Sequence, residues 1–328
     1  QVQRTIREFV DKEVIPVASD YEHKDEYPHP IVEKMKEMGL FGFLISEDYG
    51  GSEMDYVSYA VLMEELSRGW MSVGGVIGSH GMTAWIIETY GTEEQKRKFL
   101  PDLAKGIRRS GMALTEPESG SDSASLRTTA RLEGDEFIIN GTKMFITNSE
   151  MGTTFSVFVR THPDASLRHK GISCLIIEKG MPGFSVGRHL NKLGYRGVRS
   201  SELIFQDCRV PVENLIGEEN QGFYYIMAGL ETGRINVAAR GVGLAQAAFE
   251  DSIKYAQQRI QGGKPICQHQ TIQIKLAEMA TRIEASRMMT YMAADKRNRG
   301  ERCDLEAGMA KLFASETAEF CIEIISGT

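Results

Sequence analysis

The sequence lacks the short motifs that most directly reveal a phosphate or metal site. It has no GxxxxGK[ST] and no GxGxxG after a strand pattern, which excludes the Walker and Rossmann phosphate loops. It has no HExxH, and its 7 histidines are scattered without the spacing of a metal pair. We therefore predict that no metal is bound.

Cysteine is scarce and widely spaced. The 5 cysteines are Cys174, Cys208, Cys267, Cys303 and Cys321, and none forms a CxxC pair. An odd number at these spacings favours reduced, buried thiols over a disulfide framework. We therefore expect a reducing compartment, which is the cytoplasm in a bacterium or the mitochondrial matrix in a eukaryote.

Long apolar runs and an excess of positive charge are also missing. Glycine or charge interrupts every apolar stretch, so we expect no membrane span. The net charge of −7 argues against a nucleic-acid partner but leaves room for a local basic pocket for a phosphorylated ligand. A chain of 328 residues is long enough for two or three domains with a sizeable core.

Residues 1–108 carry the helical period and predict an N-terminal helical domain. The first amphipathic stripe is predicted to end at Pro16. Residues 70–91 are rich in glycine and small side chains, which is typical of close helix packing or of a surface against a ligand. Ser79 and His80 are adjacent, and neighbouring residues rarely face each other, so a hydrolase is disfavoured.

The hydrophobic period changes to two in residues 109–217 and returns to the helical value in residues 218–328. The middle segment predicts a β-barrel-like domain of short strands, with Asn140-Gly141 as its strongest hairpin signal. The last segment predicts an antiparallel helical bundle that we expect to continue beyond Thr328. The predicted fold class is therefore α+β, in the order helix, β, helix.

Several ordered motifs resemble the acyl-CoA dehydrogenase family. They are LTEPESGSD at 114–122, NGTKMFITN at 140–148, LIFQDCRVPVENLIG at 203–217, GRINVAARGVGLAQAAF at 233–249, the arginine of YAQQR, and QHQ at 268–270. The resemblance covers nearly the whole chain and implies the same three-domain fold. It also implies an FAD-dependent enzyme that desaturates an acyl-CoA thioester, transfers electrons to an electron-transfer flavoprotein, and assembles as a homotetramer or homodimer.

The resemblance implies that a polar loop and a β-platform hold the flavin between them. The implied contacts are Met112, Leu114, Thr115, Gly120, Ser121, Phe145, Ile146 and Thr147. The Thr115 hydroxyl is expected to bond to the pyrimidine side of the ring, and Ser121 to meet the flavin pyrophosphate or the pantetheine arm of the substrate. Phe145 stands where the family commonly has tryptophan, and it retains the ability to stack.

A second set of implied contacts concerns the phosphate and adenosine end of FAD in a neighbouring subunit. These residues are Arg259, Gln261, His269 and Gln270. A guanidinium suits a pyrophosphate because it donates two parallel hydrogen bonds. The sequence departs from the family at Gly262, where an aromatic residue is common.

For the substrate, the resemblance implies contacts from Ser121, Glu231 and Arg234, although an intrahelical Glu231–Arg234 ion pair is an equally good interpretation. Arg196 and Arg199 match a loop near the entrance for coenzyme A, and solvated arginines remain the alternative. The acyl pocket is expected between residues 74–90 and 226–234, where Met82 and Trp85 would shorten it.

The reaction needs a carboxylate that removes the α-proton of the thioester. One branch of the family places it directly before Arg234, but this sequence has Gly233 there. We therefore expect the catalytic glutamate C-terminal to Thr328, since Ser326-Gly327-Thr328 echoes only part of the family motif. Two alternatives remain open: an acyl-CoA oxidase of the same fold, and a catalytically inactive homologue that binds flavin or serves in assembly.

Overall fold

The computed structural model describes residues 1–326 as an α+β protein, with helices at both ends of the chain and a sheet between them. The α-helices are α1 (Val2–Phe9), α2 (Ile15–Lys24), α3 (His29–Glu37), α4 (Tyr56–Gly69), α5 (Met71–Tyr90), α6 (Glu93–Ala104), α7 (Gly222–Gln258), α8 (Gln270–Asn298) and α9 (Asp304–Ser326). The strands are β1 (Ser110–Ala113), β2 (Thr129–Glu133), β3 (Glu136–Thr147), β4 (Thr154–Arg160), β5 (Ile172–Glu178), β6 (Phe184–His189), β7 (Ser200–Pro211), β8 (Leu215–Ile216), β9 (Ile260–Gln261) and β10 (Lys264–Pro265). No helix among residues 1–326 is long and apolar enough to cross a membrane.

Pro16 does not end the first helical run, so that prediction is wrong. Residues Val10–Val14 form a π-helical turn in which the Ile15 N–H donates to the Val10 carbonyl, and α2 follows directly. The wider turn gives the Pro16 ring room next to the preceding carbonyls, and helix therefore continues through the proline.

Local sequence determines where two of the helices begin. The Asp55 side chain accepts a hydrogen bond from the Ser58 N–H and caps α4. At α6, Thr92 and Gln95 form a capping box, in which each side chain bonds to the backbone of the other residue. These caps satisfy N–H groups that have no partner inside the helix.

The main sheet has eight strands in the order β6-β7-β3-β2-β4-β5-β8, with β1 paired to β4. The β1–β4 and β2–β4 pairs are parallel, and the other pairs are antiparallel. Among the described residues no pairing joins β6 to β8, so the hydrogen-bonded order is an open path rather than a closed ring.

The hairpin predicted at Asn140-Gly141 is wrong, because β3 runs straight through these two residues. The turn between β2 and β3 instead contains Gly134, which has a φ of 66°. At Gly141 the pairing with β7 shifts register, and a Cβ there would lie 2.5 Å from the Thr128 hydroxyl. The glycine therefore allows a close approach of Thr128 within the sheet rather than a chain reversal.

The chain forms two compact units. One contains residues 1–20, 55–74 and those from 231 onward; the other contains residues 21–54 and 75–230. The predicted domain ranges 1–108, 109–217 and 218–328 follow the sequence period rather than these units, and they remain a prediction. The second unit contains the whole eight-stranded sheet.

Buried charge organises the helices of the first unit. Glu65 on α4 is fully buried and accepts hydrogen bonds from Arg7 on α1 and from Arg68. Its neighbour Glu64 accepts from Arg287 and from the Tyr291 hydroxyl, both on α8. Two adjacent carboxylates on α4 therefore bind α1 and α8 through polar contacts that are satisfied in the interior.

In the second unit, the buried His80 is a structural residue rather than a catalytic base. Its Nε2 lies 3.1 Å from the Leu103 carbonyl, and its Nδ1 lies 3.3 Å from the Ser110 N–H. A carbonyl can only accept and a backbone N–H can only donate, so the ring is neutral with its proton on Nε2. Burial lowers the pKa of His80 to about 4.

We predict that His80 makes stability fall in mild acid. The unfolded residue binds a proton near pH 6.5 and the folded one near pH 4, so its contribution is complete above 6.5 and is lost as the pH falls towards 4. The loss in free energy of unfolding is about 3 kcal/mol. Chemical denaturation of wild type and His80→Gln across this range measures it. Equal pH slopes in the two proteins would contradict the prediction.

Candidate functional site

The clearest anomaly in the second unit is a buried lysine two residues before an exposed aromatic. Lys143 on β3 is fully buried, whereas Phe145 is 62% exposed and has a φ of 61°. The pairing with β7 shifts between Lys143 and Ile146, so β3 contains one extra residue there. This bulge breaks the alternation of the strand and turns Phe145 outward.

Lys143 holds the loop that follows β1. Its Nζ lies 2.7 Å from Glu116 Oε1 and 3.1 Å from the Leu114 carbonyl. The backbone adds a bond from the Met144 N–H to the Thr115 carbonyl at 2.8 Å. Residues Leu114–Glu116 are therefore fixed beside the bulge.

The Lys143–Glu116 pair stays ionised near neutral pH. Burial alone raises the pKa of Glu116, but Lys143 and the N–H groups of Arg127 and Thr128 outweigh burial and hold that pKa below its ordinary value. Burial lowers the pKa of Lys143 to about 8, against the opposing effect of Glu116. The ion pair is thus largely formed at pH 7 and weakens in mild alkali.

The rest of the loop presents polar groups to solvent. Gly120 and Ser121 are exposed, and open space lies where a Gly120 Cβ would stand. The buried Arg160 donates to the carbonyls of Ala124 and Leu126, which anchors the far end of the loop to β4. The loop is therefore held at both ends while its middle remains open.

The structure places Met112, Leu114, Thr115, Phe145 and Thr147 on neighbouring segments, namely β1, the loop after it and the end of β3. Met112, Leu114, Thr115 and Thr147 are half-buried, and Gly111 brings β1 within contact of the Thr147 carbonyl. Ile146, however, is 2% exposed and packs in the core of the sheet. Its side chain therefore points away from the face that carries Phe145.

The predicted contacts at the adenosine end lie around a tight hairpin in the first unit. Arg259 is exposed between α7 and β9, and within residues 1–326 its side chain has no partner. His269 Nε2 lies 3.0 Å from the Gln261 carbonyl and so fixes the hairpin to the start of α8, where Gln270 is exposed. Gly262 has a φ of 60° in the turn, a conformation that an aromatic residue rarely adopts.

The Glu231–Arg234 ion pair, which was the alternative to substrate contacts, is not formed. Glu231 pairs instead with Arg297 on α8, at 3.1 Å. The half-buried Arg234 has no ion-pair partner in the described part of the chain and remains available to a ligand. Gly233 lies inside α7, and Gly327 and Thr328 lie outside the described residues, so the expected position of the catalytic glutamate stays a prediction.

Two acidic residues that the sequence did not single out organise the Arg196–Arg199 loop. The Glu22 carboxylate accepts from the Arg196 N–H, and Asp25 accepts from the Gly197 N–H at 2.8 Å. Burial raises the pKa of Asp25, but the hydrogen bonds from Gly197 and from His189 outweigh it and lower that pKa. Arg199 lies between Asp25 and Glu150, so its charge is already compensated within the protein.

Lys143 and Glu116 were also missed as partners. Both belong to motifs that the sequence singled out, but a lysine between apolar strand residues predicts an exposed side chain. The sequence contains both a glutamate in the turn and a lysine in the strand. Hydrophobic periodicity, however, does not show that these two residues form a pair.

We predict that Phe145→Gly does not destabilise the protein. The change removes a residue with positive φ and loses little packing, so the free energy of unfolding should rise by up to about 1 kcal/mol. Leu132→Gly is the matched control, because Leu132 is also exposed on the sheet but has ordinary strand geometry. It should lower stability by about 1 kcal/mol in chemical denaturation. A larger loss for Phe145→Gly than for the control would show that Phe145 is a packing residue.

Comparisons with known proteins agree with this arrangement. Residues 1–107, 111–208 and 220–326 match family models described as the N-terminal, middle and C-terminal domains of acyl-CoA dehydrogenase. An acyl-CoA dehydrogenase of Bacillus subtilis is 46% identical over 97% of this chain and 83% of that protein. A short-chain specific acyl-CoA dehydrogenase of Clostridium acetobutylicum is 41% identical over the same shares of the two chains.

Solved structures give the same result. A chain in a structure of an electron transferring flavoprotein of Acidaminococcus fermentans has a TM-score of 0.96 and 39% identity, covering 99% of this chain and 85% of that one. The butyryl-CoA dehydrogenase of Megasphaera elsdenii has a TM-score of 0.93 and 35% identity, covering 99% and 87%. The chain therefore belongs to the acyl-CoA dehydrogenase family of FAD-dependent oxidoreductases.

Proposed function

We propose that this protein desaturates a short-chain acyl-CoA between Cα and Cβ and passes the electrons to an electron-transfer flavoprotein. The observation that carries the proposal is the exposed Phe145, turned out of a bulge beside which the Leu114–Thr115 loop is fixed. A planar apolar ligand that also has a polar edge fits this arrangement.

The residues on this face fit FAD. Phe145 offers an aromatic surface for the ring, and Met112 and Leu114 add apolar contact. The hydroxyls of Thr115, Ser121 and Thr147 have no protein partner within residues 1–326, so they are available to the polar groups of the cofactor. When bound, FAD supplies the acceptor for the hydride that leaves Cβ.

The chain's own groups would orient the ligands. Arg259, Gln261, His269 and Gln270 are proposed to hold the phosphate and adenosine end of FAD in a second copy of the chain, as a homotetramer or homodimer requires. Arg259 suits this role because it is exposed and its side chain has no ion-pair or hydrogen-bond partner among residues 1–326. Ser121, Arg234 and Glu231 are proposed on the substrate side, with Glu231 oriented by Arg297.

The proposed electron acceptor and substrate length follow from named relatives. One structural relative comes from a structure of an electron transferring flavoprotein, and others are described as short-chain or butyryl-CoA enzymes. The packing of α5 on the start of α7 supports a short chain. A Cβ at Gly229 would lie 3.0 Å from Met82 and 3.2 Å from Trp85, so these side chains already fill the space over Gly229.

We predict that the purified protein has a flavin absorption spectrum that bleaches when butyryl-CoA is added without oxygen, and bleaches more slowly with octanoyl-CoA. Slow re-oxidation by air, together with fast re-oxidation by an electron-transfer flavoprotein, is expected for a dehydrogenase. Fast re-oxidation by air would instead indicate an oxidase. A flavin that no acyl-CoA bleaches would contradict the proposed substrate class.

We predict that Trp85→Ala shifts the chain-length preference. Removing the indole opens space beside Gly229, so kcat/KM for octanoyl-CoA relative to butyryl-CoA should rise by about 10-fold or more. Tyr90→Phe is the control, because it retains the ring that packs on Trp85 and stacks on Tyr225. An unchanged ratio in the Trp85 variant would place the acyl chain elsewhere.

A further inference from the structure

The Lys143–Glu116 pair is costly for a site that apolar residues would fill. An ion pair taken out of water is often less stabilising than well-packed apolar side chains of similar volume. Lys143 is fully buried and Glu116 is 6% exposed, while the nearby Phe145 remains largely exposed. Stability alone would favour a buried aromatic ring and an exposed ion pair. We therefore expect a role of the pair other than packing.

The pair fastens both ends of one loop to β3. Lys143 Nζ binds the Leu114 carbonyl at the start of the loop. Glu116 accepts from the N–H groups of Arg127 at 2.6 Å and Thr128 at 2.9 Å, at the end of the loop. The ion pair therefore fastens both ends of residues 114–128 to β3, next to the backbone bond from the Met144 N–H to the Thr115 carbonyl.

The contact also sets a distance. Lys143 lies on the inner side of the bulge that turns Phe145 outward, so the anchor of the loop and the aromatic platform share three consecutive residues of β3. A shift of the loop relative to Lys143 changes the gap between Leu114–Thr115 and Phe145. Small shifts of groups that position a ligand weaken its binding and slow the reaction.

We propose that Lys143 and Glu116 are positioning residues that fix the Leu114–Thr115 loop relative to Phe145, so that both can meet the flavin, without touching the cofactor. The inference rests on the proposed flavin face. Lys143 has no exposed surface, and the Glu116 carboxylate is engaged by Lys143 and two backbone N–H groups. Both residues therefore act through the loop.

The experiment compares FAD binding to apoprotein variants, measured by quenching of flavin fluorescence, with their unfolding in denaturant. Lys143→Met should raise the Kd for FAD by about 10- to 100-fold. Gln95→Met is the matched control, since Gln95 is 4% exposed and donates to the carbonyls of Glu213 and Leu215 in the same unit. It should lose stability and retain the wild-type Kd.

A second variant keeps the test decisive if Lys143→Met fails to fold. The double variant Lys143→Met, Glu116→Gln removes both charges of the pair, so neither partner is left as a buried ion without the other, and one oxygen remains for a loop N–H. It should fold and still bind FAD about 10- to 100-fold more weakly than wild type. A folded double variant with the wild-type Kd would overturn the proposal.

Phe145→Ala separates the two proposals. If it leaves the Kd of FAD unchanged, the flavin lies elsewhere and the proposed site fails. If it weakens binding while the folded double variant binds as wild type does, only the positioning role fails.

The pH dependence gives a readout that a purely structural role would not move. Arg160 on β4 also interacts electrostatically with Glu116, and it keeps its charge throughout this range. As the pH rises from about 7 to about 9, Lys143 loses its proton, so the wild-type Kd should rise. The double variant should show a flat profile over the same range, and a parallel rise in both proteins would overturn the proposal.

Discussion

The buried ion pair between Lys143 and Glu116 is the contact on which the candidate site depends. It ties the loop after β1 to the strand that carries Phe145. Because both ends of that loop converge on one carboxylate, its middle can stay open and polar without losing its position. The site therefore combines a rigid frame with hydroxyl and glycine residues that are free to meet a ligand.

The two irregularities of β3, at Gly141 and between Lys143 and Ile146, have different structural effects. At Gly141 the strand passes so close to Thr128 that a side chain is excluded, which brings the end of the loop against the sheet. At the second irregularity the extra residue reverses the facing of Phe145. A regular strand would place Lys143 and Phe145 on one side, and both the anchor and the platform would then be lost.

In the first unit, some charged side chains are paired within the described part of the protein and two arginines of the proposed site are not. Glu64 and Glu65 form ion pairs with arginines of neighbouring helices, and Glu231 forms an ion pair with Arg297. Arg234 and Arg259 have no ion-pair partner among residues 1–326. Cations that the fold does not neutralise are suited to phosphate or carboxylate groups, which is the chemistry of FAD and acyl-CoA.

The sequence by itself determined the helix–β–helix order, because a period of 3.6 or 2 depends only on which residues are apolar. The sequence motifs also located the loop at 114–122 and the strand segment at 140–148. The strand register was decided only by tertiary structure. Asn140-Gly141 predicts a turn but lies at an irregularity inside β3, and Ile146 faces the core. A bulge depends on the partner strand, and the partner of a buried charge lies far away in sequence, so neither Lys143–Glu116 nor Glu231–Arg297 is encoded in any local pattern.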